Sequence, residues 1–239
     1  MKAAGNLKIP TILIGNFTWY DIYSHFPEAK NETHLIQSLA EEYSHSTLQI
    51  LPQCHLDNKI IHHKKEVGFI ANNGKNMRND LVSFLGKKAE NKLLVFIYLG
   101  EHGTRKVNLS NLRNNKDCLF LTRDPIKHPD VHFIDDKFSY HDLIASSDIT
   151  LTKGGYSTLA TSFANHKPVI TCERDDFYEF KAVREYLQKR QIGIIVKSAP
   201  FKQGDWQESI KEALKLTVKN KVPLNGEIEI AKIVQQMLS

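Results

Sequence analysis

The sequence lacks several features that would by themselves indicate a particular class of protein. Its three cysteines, Cys54, Cys118 and Cys172, are odd in number and far apart, so neither a disulfide framework nor a zinc site is expected. Buried free thiols in a reducing compartment are the simplest interpretation. No run reaches the ~18 apolar residues that cross a membrane, and the amino terminus shows no signal-peptide pattern. These absences predict a cytoplasmic protein without a structural metal or a cofactor-binding cysteine motif.

The sequence also has no large excess of positive or of negative charge. The net charge of +5 is mild and is spread along the 239 residues. It permits an anionic ligand or a peripheral contact with a membrane surface, but it does not indicate nucleic acid. Hydrophobic residues make up 41% and charged residues 25% of the sequence, which is typical of a globular protein rather than a disordered one.

What the sequence does contain, from about residue 77 onwards, is an alternation of helical patterns with short apolar strands. The predicted strands cover residues 93–99, 118–121, 131–134, 148–152, 169–172 and 192–196. The predicted helices cover residues 77–85, 140–146, 179–190, 206–216 and 228–238. Strands this hydrophobic have no solvated face, so the pattern predicts an α/β fold in which helices cover a Rossmann-like parallel sheet.

The first 70 residues are less regular. Residues 9–15 (IPTILIG) form a continuous apolar run that predicts a fully buried strand, although only eight residues precede it. A helix is expected over residues 33–45 and strands over residues 47–51 and 67–70. We therefore predict a small domain over residues 1–70 and a larger one over residues 71–239.

Residues 148–170 (DITLTKGGYSTLATSFANHKPVI) combine an apolar strand, a glycine turn, a helix and a second apolar strand. Gly154 and Gly155 allow a sharp turn into the helix, and Ser157 and Thr158 offer hydroxyls that cap amides at its start. The N terminus of a helix after such a turn is a seat for a phosphate or diphosphate. The alternative is an ordinary connection between a strand and a helix, because glycine turns are common there.

A second glycine loop follows the strand predicted over residues 93–99. Gly100 and Gly103 could line the same crevice from the opposite side, since ligands of open α/β sheets bind at the carboxyl ends of strands. His102 lies between the two glycines and is a weak candidate for a catalytic residue; an exposed loop histidine is the alternative.

Three stretches resemble sugar-nucleotide-dependent glycosyltransferases of the GT-B fold. Residues 133–136 (FIDD) with residues 147–158 (SDITLTKGGYST) look like the donor-nucleotide core of that family, residues 174–179 (RDDFYE) are similar to its donor-sugar segment, and residues 15–23 (GNFTWYDIY) look like a loop of its amino-terminal domain. The likeness is closest to the enzyme that adds N-acetylglucosamine to lipid-linked peptidoglycan precursors and to the glycosyltransferase-like half of L-arabinokinases.

The resemblance implies a donor site and an acceptor side on different domains. Residues 1–70 would be a remnant of the acceptor-side domain with a linker, and residues 71–239 would bind a nucleoside diphosphate sugar. The implied donor-binding residues are Gly100, Gly103, Ile134, Gly154, Gly155, Tyr156, Ser157, Thr158, Thr161, Arg174 and Glu179. The backbone of Ile134 would meet the base, and residues 155–158 would surround the diphosphate. Neither a metal nor a cofactor is expected, and a UDP-linked sugar is the expected donor.

This sequence departs from the family at two places. The family commonly has a ribose-binding glutamate where this sequence has Thr161, and a hydroxyl is a weaker partner than a carboxylate. A complete amino-terminal domain would also have several strands and a glycine-rich loop before residue 9. A fragment, a misassigned start, a separate partner chain and lost activity are the open alternatives, and a partner chain or a dimer could cover residues 9–15.

The sequence therefore leaves three functions open. The first is a glycosyltransferase, or the donor-binding portion of one, that transfers a hexosyl or N-acetylglucosaminyl group to an unknown acceptor, which could be lipid-linked. The second is an inactive nucleotide-sugar-binding or interaction module, and the third is an enzyme that resembles a nucleotide-sugar epimerase. Fold alone does not decide between them.

Overall fold

The computed structural model describes residues 1–238, apart from the side chains of Glu101 and His102. Within these residues the strands are β1 (Ile12–Ile14), β2 (Leu48–Pro52), β3 (Lys64–Val67), β4 (Leu93–Tyr98), β5 (Cys118–Thr122), β6 (Val131–Phe133), β7 (Ile149–Thr152), β8 (Val169–Cys172) and β9 (Gly193–Val196). The α-helices are α1 (Lys2–Asn6), α2 (Trp19–Tyr23), α3 (Thr33–Ser44), α4 (Arg78–Leu85), α5 (Gly100–Thr104), α6 (Tyr140–Ser146), α7 (Tyr156–Ala164), α8 (Phe180–Arg190), α9 (Ser198–Gln203), α10 (Gln207–Ala213) and α11 (Gly226–Leu238).

The chain divides into two compact units. The first unit comprises Met1–Ile70, Asp175–Tyr186 and Pro223–Ser239, and the second comprises Ala71–Arg174 and Leu187–Val222. Two segments that we expected in the domain of residues 71–239 thus belong to the first unit. The reason is packing: Phe177, Tyr178 and Ala182 contact the hydrophobic cluster around Ile22, and Ile230 and Ile233 pack against the sheet of the first unit.

The first unit contains a three-stranded parallel sheet in the order β1-β2-β3. All five residues of the central strand β2 are buried, and Leu48, Ile50 and Val67 form a core with the partly buried Ile12 and α11. Lysines are tolerated in β3 because an edge strand keeps one side in solvent. That is why β3 begins inside the basic stretch at Lys64, whereas we predicted a strand over residues 67–70.

The prediction that residues 9–15 form a fully buried strand is wrong. Only Ile12–Ile14 are in a strand, and among the described residues β1 pairs with β2 alone. Ile9 is 53% exposed and Ile14 is 45% exposed. A run of apolar residues has the same composition at the edge of a sheet as in its centre, so the sequence pattern does not distinguish the two. Coverage of this edge by a partner chain or a dimer stays a prediction.

The second unit contains a six-stranded parallel sheet in the order β6-β5-β4-β7-β8-β9. Alternate residues of β4 enter two different cores: Val95 and Ile97 lie in the cluster that includes Trp206, whereas Leu94 and Phe96 lie in the cluster with α4 and α6. Burial on both faces accounts for the unbroken apolar run of β4. This Rossmann-like sheet with flanking helices confirms the predicted α/β fold.

Candidate functional site

The order of the six strands makes the carboxyl ends of the strands in the second unit the candidate site for a ligand. The chain starts in the middle of the sheet at β4, proceeds outward through β5 and β6, and then returns to the other side of β4 with β7. In sheets of this order, ligands bind outside the carboxyl ends of the strands at the point where the direction reverses. That point is between β4 and β7, and the predicted glycine loops at Gly100 and at Gly154-Gly155 directly follow these two strands.

The turn after β7 is built by two glycines with different roles. Gly154 has a φ of +85°, a conformation that side chains with a Cβ rarely adopt. Gly155 has an ordinary φ of −68° and precedes the first residue of α7. A Cβ on Gly155 would meet only Lys153 Cε, at 3.9 Å. Because the space above Gly155 is open, a ligand can approach the backbone at the start of α7.

Lys153 adds a positive charge to this turn, although sequence reasoning did not include it among the site residues. Its Nζ lies 3.2 Å from the position that a Cβ on Gly100 would occupy, so its ammonium group lies at the carboxyl ends of both β4 and β7. The start of α7 also has the positive end of the helix dipole. The lysine immediately before the glycine pair was the signal that could have identified it.

Asp124, which follows β5, fixes the turn at Gly100. One of its carboxylate oxygens accepts hydrogen bonds from the backbone N–H groups of Leu99 at 2.5 Å and Gly100 at 3.0 Å. Burial raises the pKa of Asp124, although these two hydrogen bonds and the charge of Lys153 oppose the shift. Gly100 itself has a φ of +70°. Sequence reasoning missed Asp124, because no motif marks a single aspartate after a strand.

The segment that we predicted as a second glycine loop forms the short helix α5. A Cβ on Gly103 would lie 2.9 Å from Leu99 Cβ, so close packing within the short helix α5 accounts for this glycine. The prediction for His102 falls on a side chain outside the described part of the structure.

The predicted residues of α7 differ in accessibility. Ser157 is exposed and Tyr156 is half-buried, whereas Thr158 is buried and accepts a hydrogen bond of 2.8 Å from the hydroxyl of Tyr140. The predicted capping by Ser157 and Thr158 is not observed, because Gly155 is the N-cap residue and no side chain caps this helix. Thr161 is only 3% exposed, since it lies on the face of α7 that is covered by protein.

Phe133 and Ile134 follow one another at the end of β6 but differ in their surroundings. Ile134 is buried, and its N–H donates a hydrogen bond of 2.8 Å to the carbonyl of Thr122. A contact between its backbone and a base would therefore use the carbonyl of Ile134. Phe133 is 61% exposed. An exposed aromatic ring beside that carbonyl is available for stacking on a planar group.

The structure assigns Arg174 and Glu179 to different units. Arg174 is half-buried in the second unit, two residues after the end of β8. Glu179 belongs to the first unit, where it is buried and accepts a hydrogen bond of 2.8 Å from the side-chain amide of Asn16. Residues 174–179 resemble a single donor-sugar segment in sequence, but the side chains of Arg174 and Glu179 lie in different structural surroundings.

The first unit has an aromatic surface after β1. The rings of Trp19 and Tyr23, one helical turn apart on α2, stack at 5.5 Å between centroids, and Phe17 meets Trp19 edge-on at 5.7 Å. Trp19 is 47% exposed. A capping box between Thr18 and Asp21 fixes the start of α2 and with it the position of these rings.

Within the described residues, no three His, Cys, Asp or Glu side chains are grouped so that they could hold a metal ion. In the same part of the chain, every helix is too short or too polar to cross a bilayer.

The chain was compared with protein families, curated proteins and solved structures. No protein-family model matches the chain. An L-arabinokinase of Arabidopsis thaliana is 23% identical over 239 residues, which is 98% of this chain but only 23% of that protein. The chain therefore spans less than a quarter of the length of this relative.

Several solved glycosyltransferases have a similar structure. CalG4, the calicheamicin glycosyltransferase, superimposes with a TM-score of 0.63 and 12% identity over 99% of this chain and 70% of its own. The spinosyn rhamnosyltransferase SpnG in complex with thymidine diphosphate gives a TM-score of 0.64 and 14% identity over 100% of this chain and 70% of its own. The glycosyltransferase of kitacinnamycin gives a TM-score of 0.66 with 12% identity. The fold is that of the GT-B glycosyltransferases, as the sequence resemblance implied.

Proposed function

We propose that this chain is a glycosyltransferase, or the donor-binding portion of one, that transfers a sugar from a nucleoside diphosphate sugar. The observation that carries the proposal is the meeting of two turns at the reversal point of the sheet. The Gly100 turn, held by Asp124, and the Lys153–Gly155 turn at the start of α7 follow neighbouring strands. Together they offer an ammonium group, helix amides and open space, which are the requirements of a diphosphate.

The nucleoside would lie at the ends of β5 and β6. In this arrangement the ring of Phe133 stacks on the base, and the carbonyl of Ile134 accepts a hydrogen bond from it. A carbonyl acceptor accommodates the N3–H of uracil or thymine, as in a UDP-linked or TDP-linked donor, and equally an N–H of guanine, so the identity of the base is left to the titration below. SpnG, whose fold is similar, has been solved with thymidine diphosphate.

In the transfer reaction, an acceptor hydroxyl attacks the anomeric carbon of the donor sugar and gives its proton to a general base on the acceptor side. The bond between the anomeric carbon and the diphosphate oxygen breaks, so negative charge develops on the departing nucleoside diphosphate. Lys153, the first-turn amides of α7 and the helix dipole are placed to stabilise that charge. Catalysis then depends on the part of the site that binds the leaving group.

The acceptor would be bound by the first unit. Its exposed pair of aromatic rings, Trp19 and Tyr23, matches the apolar face of a sugar or of another cyclic acceptor. SpnG, whose fold is similar, has also been solved in complex with spinosyn aglycone. A lipid-linked acceptor fits the resemblance to the peptidoglycan enzyme.

A nucleotide-sugar-binding module without transferase activity is the second candidate. Thr161 favours it, because a buried threonine hydroxyl replaces the carboxylate that the family uses for ribose.

The direct test is a titration of the purified chain with UDP, TDP and GDP by calorimetry, followed by nucleotide release from the corresponding sugars. Release with an added acceptor supports the transferase, and binding without release supports the module. Failure of all three nucleotides to bind would refute both candidates.

The variant Gly155→Val tests whether the diphosphate binds at the turn before α7. The φ of Gly155 suits valine and the space is open, so we expect the variant to fold, with a small loss of thermal stability because valine is a poorer N-cap residue than glycine. Nucleotide binding should be at least about tenfold weaker, since a branched side chain would block the diphosphate. Unchanged affinity would show that the diphosphate does not bind at this turn.

A further inference from the structure

Tyr140 and Thr158 form a side-chain hydrogen bond that no sequence motif contains. Tyr140 is the first residue of α6, and its hydroxyl donates to Thr158 Oγ1 at 2.8 Å. Thr158 is the third residue of α7, the helix that begins at the proposed diphosphate seat. The bond therefore joins the start of one helix to the first turn of another.

Two neighbouring rings fix the phenol of Tyr140. Tyr98, the last residue of β4, lies 4.7 Å away and Phe96 lies 5.9 Å away between ring centroids, both in edge-to-face geometry. Burial raises the pKa of the Tyr140 hydroxyl. The group stays protonated at physiological pH and keeps its ability to donate.

Thr158 connects Tyr140 to the turn at Gly155. Its backbone N–H donates to the carbonyl of Gly155 at 3.1 Å, and its own carbonyl accepts from Ser162 Oγ at 2.8 Å. The side-chain oxygen of Thr158 is thus held by Tyr140 while its backbone is held by Gly155 and by the next turn of α7. A change at Tyr140 reaches Gly155 through a single residue.

We propose that Tyr140 is a positioning residue of the donor site, which fixes the first turn of α7 in the orientation that receives the diphosphate. This inference rests on the proposed function of that site. The backbone N–H groups in the first turn of α7 must point towards the diphosphate when it is bound. Because a rigid turn holds them in that orientation beforehand, less conformational entropy is lost when the diphosphate binds. Because Tyr140 acts on the turn alone, the nucleoside part of the ligand gains nothing from it.

The test compares the dissociation constants of the tightest-binding nucleoside diphosphate and of its nucleoside, measured by calorimetry or by ligand-observed NMR. Tyr140→Phe removes the hydroxyl and keeps the ring. We expect about fivefold weaker binding of the diphosphate, the effect of one lost hydrogen bond, with unchanged binding of the nucleoside. Thr158→Val should give the same loss, and the double variant should give no more than either single one, because both changes remove one interaction.

Two controls accompany these variants. Thr158→Ser retains the accepting oxygen and should recover most of the affinity that Thr158→Val loses. Tyr98→Phe removes a hydroxyl from the same aromatic group without touching the bond to Thr158, and it should also bind like the wild type. If circular dichroism shows that Tyr140→Phe does not fold, the affinities of Thr158→Val and Thr158→Ser are compared instead.

Equal losses for diphosphate and nucleoside, additive losses in the double variant, or wild-type affinity of Tyr140→Phe would each overturn the inference. These outcomes require that the wild type binds a nucleotide. No binding by the wild type would instead refute the proposed function, and the inference would fall with it.

Discussion

At the scale of single residues, the proposed donor site includes charged side chains that lie outside the recognisable motif. Asp124 and Lys153 come from different loops and meet at the Gly100 turn. Both are charged, and burial makes the charge of Asp124 costly. This cost gives a pH dependence that can be measured.

The first prediction concerns Asp124→Asn. Burial holds the pKa of Asp124 above its usual value, so the folded state favours the protonated carboxyl, and its contribution to stability is lost as the pH rises through the raised pKa. An asparagine has no such loss and still offers an oxygen to Leu99 and Gly100. We expect the stability of Asp124→Asn relative to the wild type to increase from about pH 4 to about pH 7. Urea unfolding at several pH values measures this, and a difference that falls with pH would contradict it.

The second prediction concerns Thr161→Glu, the change that would restore the family's carboxylate. Since Thr161 is 3% exposed, the glutamate would bury an uncompensated charge, and we expect a loss of ~3 kcal/mol in the free energy of unfolding. Ser157→Glu is the matched control, because Ser157 is exposed in the first turn of the same helix, where a negative charge is favourable. Equal stability of the two variants in urea would show that the position of Thr161 opens to solvent or to a cationic partner.

At the scale of elements, the start of α11 crosses the segment after β3 at two glycines. Gly226 N–H donates to the carbonyl of Phe69 at 3.1 Å, and Gly68 N–H donates to Glu229 Oε2 at 2.7 Å. A Cβ on Gly226 would lie 2.2 Å from the carbonyl oxygen of Gly68. The two segments therefore approach this closely because both crossing residues lack a side chain.

The third prediction follows from this crossing. Gly226→Ala should lower the free energy of unfolding by about 1–3 kcal/mol, since the backbone of one segment must shift. Gly15→Ala is the control: its Cβ would make an ordinary contact of 3.5 Å with the carbonyl of Phe17. Thermal unfolding monitored by circular dichroism compares the two, and similar midpoints would show that the crossing is loose.

At the scale of the whole molecule, each unit contains one of the two tryptophans. Trp19 lies in the first unit and is half-exposed, whereas Trp206 is fully buried in the core of the second unit. Their fluorescence can therefore follow the units separately. The proposed nucleotide site belongs to the second unit alone.

The fourth prediction uses this distribution. In a Trp19→Phe variant, Trp206 is the remaining tryptophan, and a nucleotide at a hundred times its dissociation constant should stabilise the unit that it reports by ~2.7 kcal/mol. Fluorescence-monitored urea unfolding with and without the nucleotide measures the shift. The Gly155→Val background serves as the control: with binding at least about tenfold weaker, the same nucleotide concentration should give a shift of at most ~1.4 kcal/mol there. A shift as large as that of the parent protein would show that the nucleotide binds elsewhere.

The sequence by itself determined the six strands of the second unit, several of its helices and the position of the turn at Gly154-Gly155, whereas the short helices α5 and α9 were not predicted. The helix over residues 140–146 and the strand over residues 169–172 were predicted with their observed bounds, because apolar periodicity and glycine act within a few residues. The resemblance of residues 133–136 and 147–158 likewise led to the GT-B fold. Periodicity carries this information since it reports which faces of an element are buried.

Tertiary structure alone decided what depends on neighbours distant in sequence. Residues 9–15 have the composition of a buried strand, yet β1 lies at an edge because pairing fixes its place in the sheet. Residues 175–186 and 223–239 joined the first unit through packing. Asp124, Lys153 and Tyr140 belong to the proposed donor site because the order of the strands brings the carboxyl ends of β4, β5, β6 and β7 together, and no local pattern records which loops meet there.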